Sequence, residues 1–328
     1  MGRIGRRQFL IATGALFAAP LAAEAQQAGK VYRIGFLSAA SGRDALHPQA
    51  AFFDGLRELG YIEGQNLIIE RRFAEGNFDR LNEFAADLAR RKVDLIVAVG
   101  PVPAQAAQKA TSMIPIIFGV VGDPVATGLV ASLRRPGRNI TGVSNITSDL
   151  AGKRLEILKE VVPKLAQVAV LHNPSNVHSV LVTQTTAAAR KVGVQLQLLE
   201  VRAPNDIETA LQAAVRGGAS ALIVLEDSLM FRERTRIAAL STKHRLPTIS
   251  GFAEEAEVGG LMAYGVSLPY LFRRMATYVD RVFKGAKPAE LPVELPTKFE
   301  LVINLKTAKT LGIQIPQSIL QRADKVIE

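Results

Sequence analysis

DLIVAVGPVPAQAAQKATSMIPIIFGVVGDPVATGLVASLRRPGRNITGVS, residues 94–144, decides the fold. Two of its apolar runs, 95–99 and 116–121, are short and uninterrupted, the pattern of strands buried on both faces of a parallel sheet. Each ends in a loop bearing glycine and proline, at 100–103 and 122–124, and the first loop leads into an alanine-rich segment read as a helix from Ala104. In open α/β sheets, small ligands lie outside the carboxyl ends of the strands, against free backbone N–H groups at helix starts. The stretch therefore predicts a ligand-binding rim. No strong nucleophile and no metal-ligand set stands on it.

The same rhythm runs outward in both directions. Strands are expected over 31–37, 66–73 and 94–99, with helices over 49–59 and 78–91 between them. Beyond 144, helices over 150–162, 181–192, 207–216 and 232–244 alternate with strands over 167–171, 195–201, 221–225 and 248–250. This is the β-α-β order of a doubly wound sheet, met twice, with the change near Gly142-Val143-Ser144. A helix over 268–283 and a strand over 300–304 close the chain. The expected fold class is α/β, with two doubly wound, Rossmann-like halves.

The first 25 residues read as a targeting segment. Arg3, Arg6 and Arg7 form a basic region, 11–23 is small and apolar, and Ala23-Glu24-Ala25 offers a small-x-small cleavage site. The run RRQFL at 6–10 resembles a twin-arginine export signal, with an ordinary secretory signal as the alternative. Pro20 interrupts the apolar run, which falls short of the roughly 20 residues a membrane span needs. The expected location is the periplasm. The chain has 328 residues, no Cys and no Trp, and a formal charge of +10. Its basic residues are scattered, as at Arg71-Arg72, Arg90-Arg91-Lys92 and Arg273-Arg274, and read as solvated helix faces; no nucleic acid partner is expected.

Several segments together carry a resemblance: DLIVAVGP at 94–101, IPIIFGVVGDPVATGLV at 114–130, RPGRNITGVS at 135–144, LHNPSN at 171–176, LPTISG at 246–251, GGLMAYGVSL at 259–268 and the run from 283 to 316. The chain from about residue 31 resembles the ABC-transporter substrate-binding proteins of the type that includes tryptophan- and tyrosine-binding members. The resemblance implies a type I periplasmic binding fold whose lobes are crossed three times, one lobe formed by 31–143 plus 267–297 and the other by 144–266 plus 298–328. Such crossings make a hinge that closes around a ligand. It also implies permease subunits as partners and a receptor that works as a monomer.

Candidate ligand-binding residues follow from the loops after the strands. Ser38 is on the rim or in a surface turn. Gly100, Pro101 and Val102 stand where glycine lets backbone approach a ligand and the following helix offers N–H groups to an anion. Asp123 lies on the rim or caps a helix starting at Pro124. Asn173 meets a polar end of the ligand or caps a helix beyond Pro174. Asp227 follows the strand over 221–225; the resemblance assigns it to the α-amino group of a ligand, and the alternative is a helix cap for the element from Leu229. Phe252 and Tyr264 stack on a flat ligand or pack the core. The resemblance implies Thr or Ser, as many members carry, where Gly100-Pro101 stands here, and often an acid shortly after the strand near Tyr264, where Ser267 stands. These departures widen the expected ligand to a small carboxylate-bearing solute, either an amino acid or an aromatic or organic acid.

The four histidines, His47, His172, His178 and His244, show no metal-binding spacing, and neither a cofactor nor a metal is expected. The sequence lacks G-x-S-x-G, Walker and dinucleotide loops, which argues against an enzyme on the same fold. The leading expectation is a substrate-binding protein of an ABC importer, and the alternative is a ligand-binding sensor subunit for a signalling receptor.

Overall fold

The computed structural model describes residues 30–40, 42, 46–145, 148–174 and 179–328. The export leader and its cleavage site lie outside the described residues, as do Ser41, Ser175, Asn176 and His178.

The first half builds a five-stranded sheet. β1 (Tyr32–Ser38), α1 (Leu46–Glu58), β2 (Leu67–Phe73), α2 (Arg80–Arg90), β3 (Leu95–Val99), α3 (Pro101–Ala110), β4 (Ile116–Val121) and β5 (Ile140–Ser144) follow in chain order. The sheet order is β2-β1-β3-β4-β5, and every pairing is parallel. Side chains along a strand alternate between faces. Ile96 and Ala98 of β3 therefore pack with Leu81, Leu88 and Ala104 of α2 and α3. Leu95 and Val97 point the other way, toward Phe52 and Leu56 of α1. Burial on both faces explains why these runs carry no polar residue.

The second half repeats the plan on a larger sheet. It contains α4 (Ser148–Val161), β6 (Gln167–His172), α5 (Ser179–Val192), β7 (Gln195–Glu200), α6 (Asp206–Arg216), β8 (Ala221–Val224), α7 (Ser228–Arg232), α8 (Arg234–Lys243), β9 (Thr248–Ser250), α9 (Ala253–Glu257) and β10 (Met262–Gly265). After α10 (Leu268–Phe283) come β11 (Glu300–Asn304), α11 (Leu305–Leu311), α12 (Gln317–Leu320) and β12 (Lys325–Ile327). The seven strands run β12-β11-β10-β9-β8-β6-β7, with β10 and β11 antiparallel and the other pairs parallel. Val168 and Val170 of β6 pack under α4 and α5; Ala169 and Leu171 pack under α6 and α8.

The chain passes between the sheets more than once. α10 lies on the first sheet, its Leu271, Phe272, Met275 and Val279 completing the face covered by α1. The segment that follows is stitched to the edge of that sheet: Glu294 N–H donates to Gly142 O at 3.0 Å, Ser144 N–H donates to Glu294 O at 2.9 Å, and the Thr141 hydroxyl donates to Leu291 O at 2.6 Å. Arg274 grips the Glu294 carboxylate with two hydrogen bonds of 2.6 Å. β11 then joins the second sheet.

Three local expectations are corrected. The alanine-rich helix starts at Pro101, three residues before Ala104, because the missing N–H of proline costs nothing in a first turn. The residues after Asp123 form turns and no helix: Gly128 takes φ 72°, and the N–H groups of Leu129 and Val130 fold back onto Pro124 O. The helix expected over 232–244 is two helices, α7 and α8, broken at Glu233.

Candidate ligand-binding site

The carboxyl ends of strands from both sheets converge on a cavity of about 110 Å³. The first sheet supplies Ser38 at the end of β1, Gly100, Pro101 and Val102 after β3, Gly122 after β4 and Asn145 after β5. The second supplies Glu226 and Asp227 after β8, and Phe252 after β9. Phe78, Phe231, Phe252 and Phe272 all reach the wall, and with the prolines and valines they make it largely apolar. Phe231 and Phe252 meet edge to face, centroids 6.1 Å apart, an arrangement favoured by the ring quadrupoles. Among the described lining residues none carries a positive charge.

Gly100 takes φ 98°, a conformation that disfavours every residue with a Cβ, and caps α3 with its N–H donating to Gly119 O at 2.8 Å. Because Pro101 and Pro103 lack N–H groups and Ala104 N–H donates to Gly100 O, the first turn offers a ligand the N–H of Val102 alone. The helix start is thus a weaker anion site than a helix beginning at Ala104 would make.

Asp227 combines the two readings weighed for it. Its Oδ1 accepts from Leu229 N–H at 2.7 Å, capping α7, and the residue also lines the cavity. Asn173 stands behind it, donating from Nδ2 to Asp227 Oδ1 at 3.3 Å; it braces the carboxylate and is absent from the wall. Asp123 is also absent from the wall: its Oδ1 accepts from Val125 and Ala126 N–H at 3.0 and 2.9 Å, fixing the turn. Tyr264 turns its ring to Phe299, centroids 6.4 Å apart, outside the cavity. Ser38, Gly100, Pro101, Val102, Asp227 and Phe252 are brought together.

Beneath the acidic wall lies a buried charge cluster. Arg154 from α4, only 2% exposed, donates to Glu226 Oε1 at 2.5 Å and to Tyr264 O at 2.8 Å. Glu254 and Glu255 of α9 are buried next to it. Burial pushes the Glu255 carboxyl up to about 8, and the nearby Glu226 and Glu254 push in the same direction against Ser250 and Arg154. Burial also lowers the half-buried His172, with Glu200 opposing. Among the described residues no group of His, Asp and Glu could hold a metal, and no helix is long and apolar enough to cross a membrane.

Sequence reasoning missed Asn145, Gln49, Phe78, Phe231, Phe272 and Arg154. Asn145 had a signal, being the first polar residue after the NITGVS strand. Phe272 had none, since its helix reaches the site only through the return crossing.

Two α/β lobes with a cavity at their facing strand ends define a type I periplasmic-binding-protein fold. The chain belongs to the family described as ABC transporter substrate binding protein, which it matches over residues 36–327. It is similar to a tyrosine-binding protein of Clostridioides difficile, 29% identical over 264 residues covering 80% of this chain and 76% of that one. Among solved structures it resembles a domain of Streptococcus pneumonia in complex with L-Trp, at 28% identity and TM-score 0.85, covering 91% of this chain and 100% of the other. It also resembles the ligand-free, open structure of a substrate-binding protein with adhesive properties from Clostridium difficile, at 28% identity and TM-score 0.67, covering 90% and 99%. At equal identity, the chain as a whole superposes more closely on the L-Trp complex than on the ligand-free, open structure.

Proposed function

We propose that this protein is the periplasmic receptor of an ABC importer for an aromatic amino acid or close analogue. The solute sits between lobes formed by 31–143 plus 267–297 and 144–266 plus 298–328; their closure presents the form a permease recognises. The receptor works as a monomer, is exported by its first 25 residues, and carries out no bond chemistry. The observation that carries this reading is the wall itself: four phenylalanines around a cavity with Glu226 and Asp227 on one side. A flat apolar side chain fits the rings, and a carboxylate beside an ammonium makes a charge-assisted hydrogen bond. The relatives that bind tyrosine and tryptophan support the same class.

The test is a thermal-shift screen of residues 26–328 against amino acids, aromatic acids and small organic anions, followed by calorimetry. A ligand at 100 times its dissociation constant stabilises by about 2.7 kcal/mol. A shift with aromatic amino acids is expected. A response confined to non-aromatic anions, or to no compound, overturns the proposal.

A further inference from the structure

Asn145 lines the cavity at the point where the chain crosses between the sheets. It follows β5, where the chain leaves the first sheet, and its backbone is fixed by its N–H donating to Val121 O at 2.9 Å. The residue is 5% exposed and lines the cavity, yet its Oδ1 has no hydrogen-bond partner. Buried side-chain oxygens are paired in the great majority of cases, so an orphan oxygen in a residue that lines a cavity is an acceptor that a donor entering the cavity can satisfy once the amide turns to meet it. The charged side chains described on the same wall are the carboxylates of Glu226 and Asp227. A group that satisfies an amide oxygen in a cavity whose charged lining is acidic is rich in N–H donors and positively charged; an ammonium provides three donors. Glu226 is already paired with Arg154, so a carboxylate there would meet the amide oxygen and the charge of Asp227.

We propose that Asn145 contacts the ligand, its Oδ1 accepting an N–H from a primary ammonium, and that this contact makes the cavity select amino-bearing aromatic solutes over the corresponding des-amino acids. The inference rests on the receptor reading above and specifies which end of the solute is recognised.

The experiment measures, by calorimetry, the binding of L-phenylalanine, L-tyrosine and L-tryptophan, and of 3-phenylpropionate, 3-(4-hydroxyphenyl)propionate and indole-3-propionate. The proteins are the full mature chain and its Asn145→Leu and Asn145→Asp variants. Asn145→Leu should weaken the best amino acid at least tenfold, Asn145→Asp should hold it within about threefold of the parent, and the des-amino acids should bind at least tenfold more weakly than their amino counterparts. Loss of binding in Asn145→Asp, unchanged binding in Asn145→Leu, or a des-amino acid bound as tightly as its amino acid would each overturn the proposal. The melting temperature of ligand-free Asn145→Leu provides a readout independent of the ligand. It should stay level or rise, since the variant removes an unpaired buried acceptor; a fall of more than about 5 °C would show that the amide supports the fold and would also overturn the proposal. If the parent binds none of the six compounds, the receptor reading fails for aromatic solutes, and the melting comparison still decides whether Oδ1 is a spare acceptor.

Discussion

Removing the Arg232 side chain should loosen the contact between the two sheets' domains and shift the protein toward the open form. Arg232, at the end of α7 in the second lobe, donates from Nη1 to Glu75 O at 2.8 Å, in the loop after β2 of the first. Gly76 makes room for it: a Cβ there would stand 2.2 Å from Arg232 Nη1, and the residue has φ 82°. A hydrogen bond from a charged group contributes about 1.5–3 kcal/mol when buried. The Arg232 side chain is 22% exposed and also reaches Glu233 at 3.3 Å, so solvent reduces the figure to about 1 kcal/mol. That is about fivefold in the closing equilibrium, and the apparent dissociation constant should rise by the same factor if the free protein is mostly open. Gly76→Ala should act in the same direction, because its methyl group displaces the guanidinium. The double variant should be little worse than either single one, as expected for two changes that break one contact. Calorimetry with the strongest ligand gives the affinities, and small-angle scattering of the free and liganded forms gives the closure. If both single variants bind within twofold of the parent and close as fully, the contact is incidental and the argument fails.

Three further predictions concern the site and the charges beneath it. Asp227→Asn keeps a side-chain oxygen to cap Leu229 N–H while removing the charge, so binding should weaken at least tenfold, about 1.4 kcal/mol, with the melting temperature nearly unchanged; equal affinity in calorimetry would make Asp227 a cap only. Arg154→Met should destabilise by about 3–5 kcal/mol because it strands the buried Glu226 carboxylate, and adding Glu226→Gln should recover most of that loss in denaturant titrations; a double variant no better than the single would place the cost in packing. Glu255 should give a pH signature. Its unfolded carboxyl ionises near 4.5 while the folded one holds its proton to about 8, so the folded state binds more protons in that window. Stability should therefore fall as pH rises from about 4.5 to about 8, by at most about 1.4 kcal/mol per unit, and level off above. Glu255→Gln should flatten the profile and melt higher at pH 8; parallel profiles in scanning calorimetry would refute the assignment.

Much of the architecture was legible in the sequence because the apolar runs at 95–99 and 116–121 have no polar residue to place, and only a sheet covered on both faces accepts them. The strand ends then marked the rim of the cavity, whose wall includes Ser38, Gly100 and Asp227. Side-chain direction was not legible. Asp123 and Tyr264 are on loops and strands of the right kind, but a local turn engages the carboxylate of one and Phe299 takes the ring of the other. The helix start at Pro101 was hidden because two prolines look like a loop until their missing N–H groups are counted as first-turn orphans. Arg154 was unreadable for a different reason. On its own helix it is one basic residue among several, and its burial depends on Glu226, 72 positions away.

The return of α10 to the first sheet also bears on how the chain acquires its structure. One face of that sheet, including Ile34, Phe36 and Leu95, is covered by α1 from the outset but finished only by Leu271, Met275 and Val279. During synthesis these residues emerge after most of the second lobe. Domains usually fold as units from the N-terminus, and here the leading unit must wait, with apolar surface open, for its last helix. The trailing lobe likewise lacks β11 and β12 until residues 300–327 have been made. Neither sheet with its covering helices is a continuous stretch of chain, so neither can be separated by a single cut; one is complete only after residue 283 and the other only after residue 327.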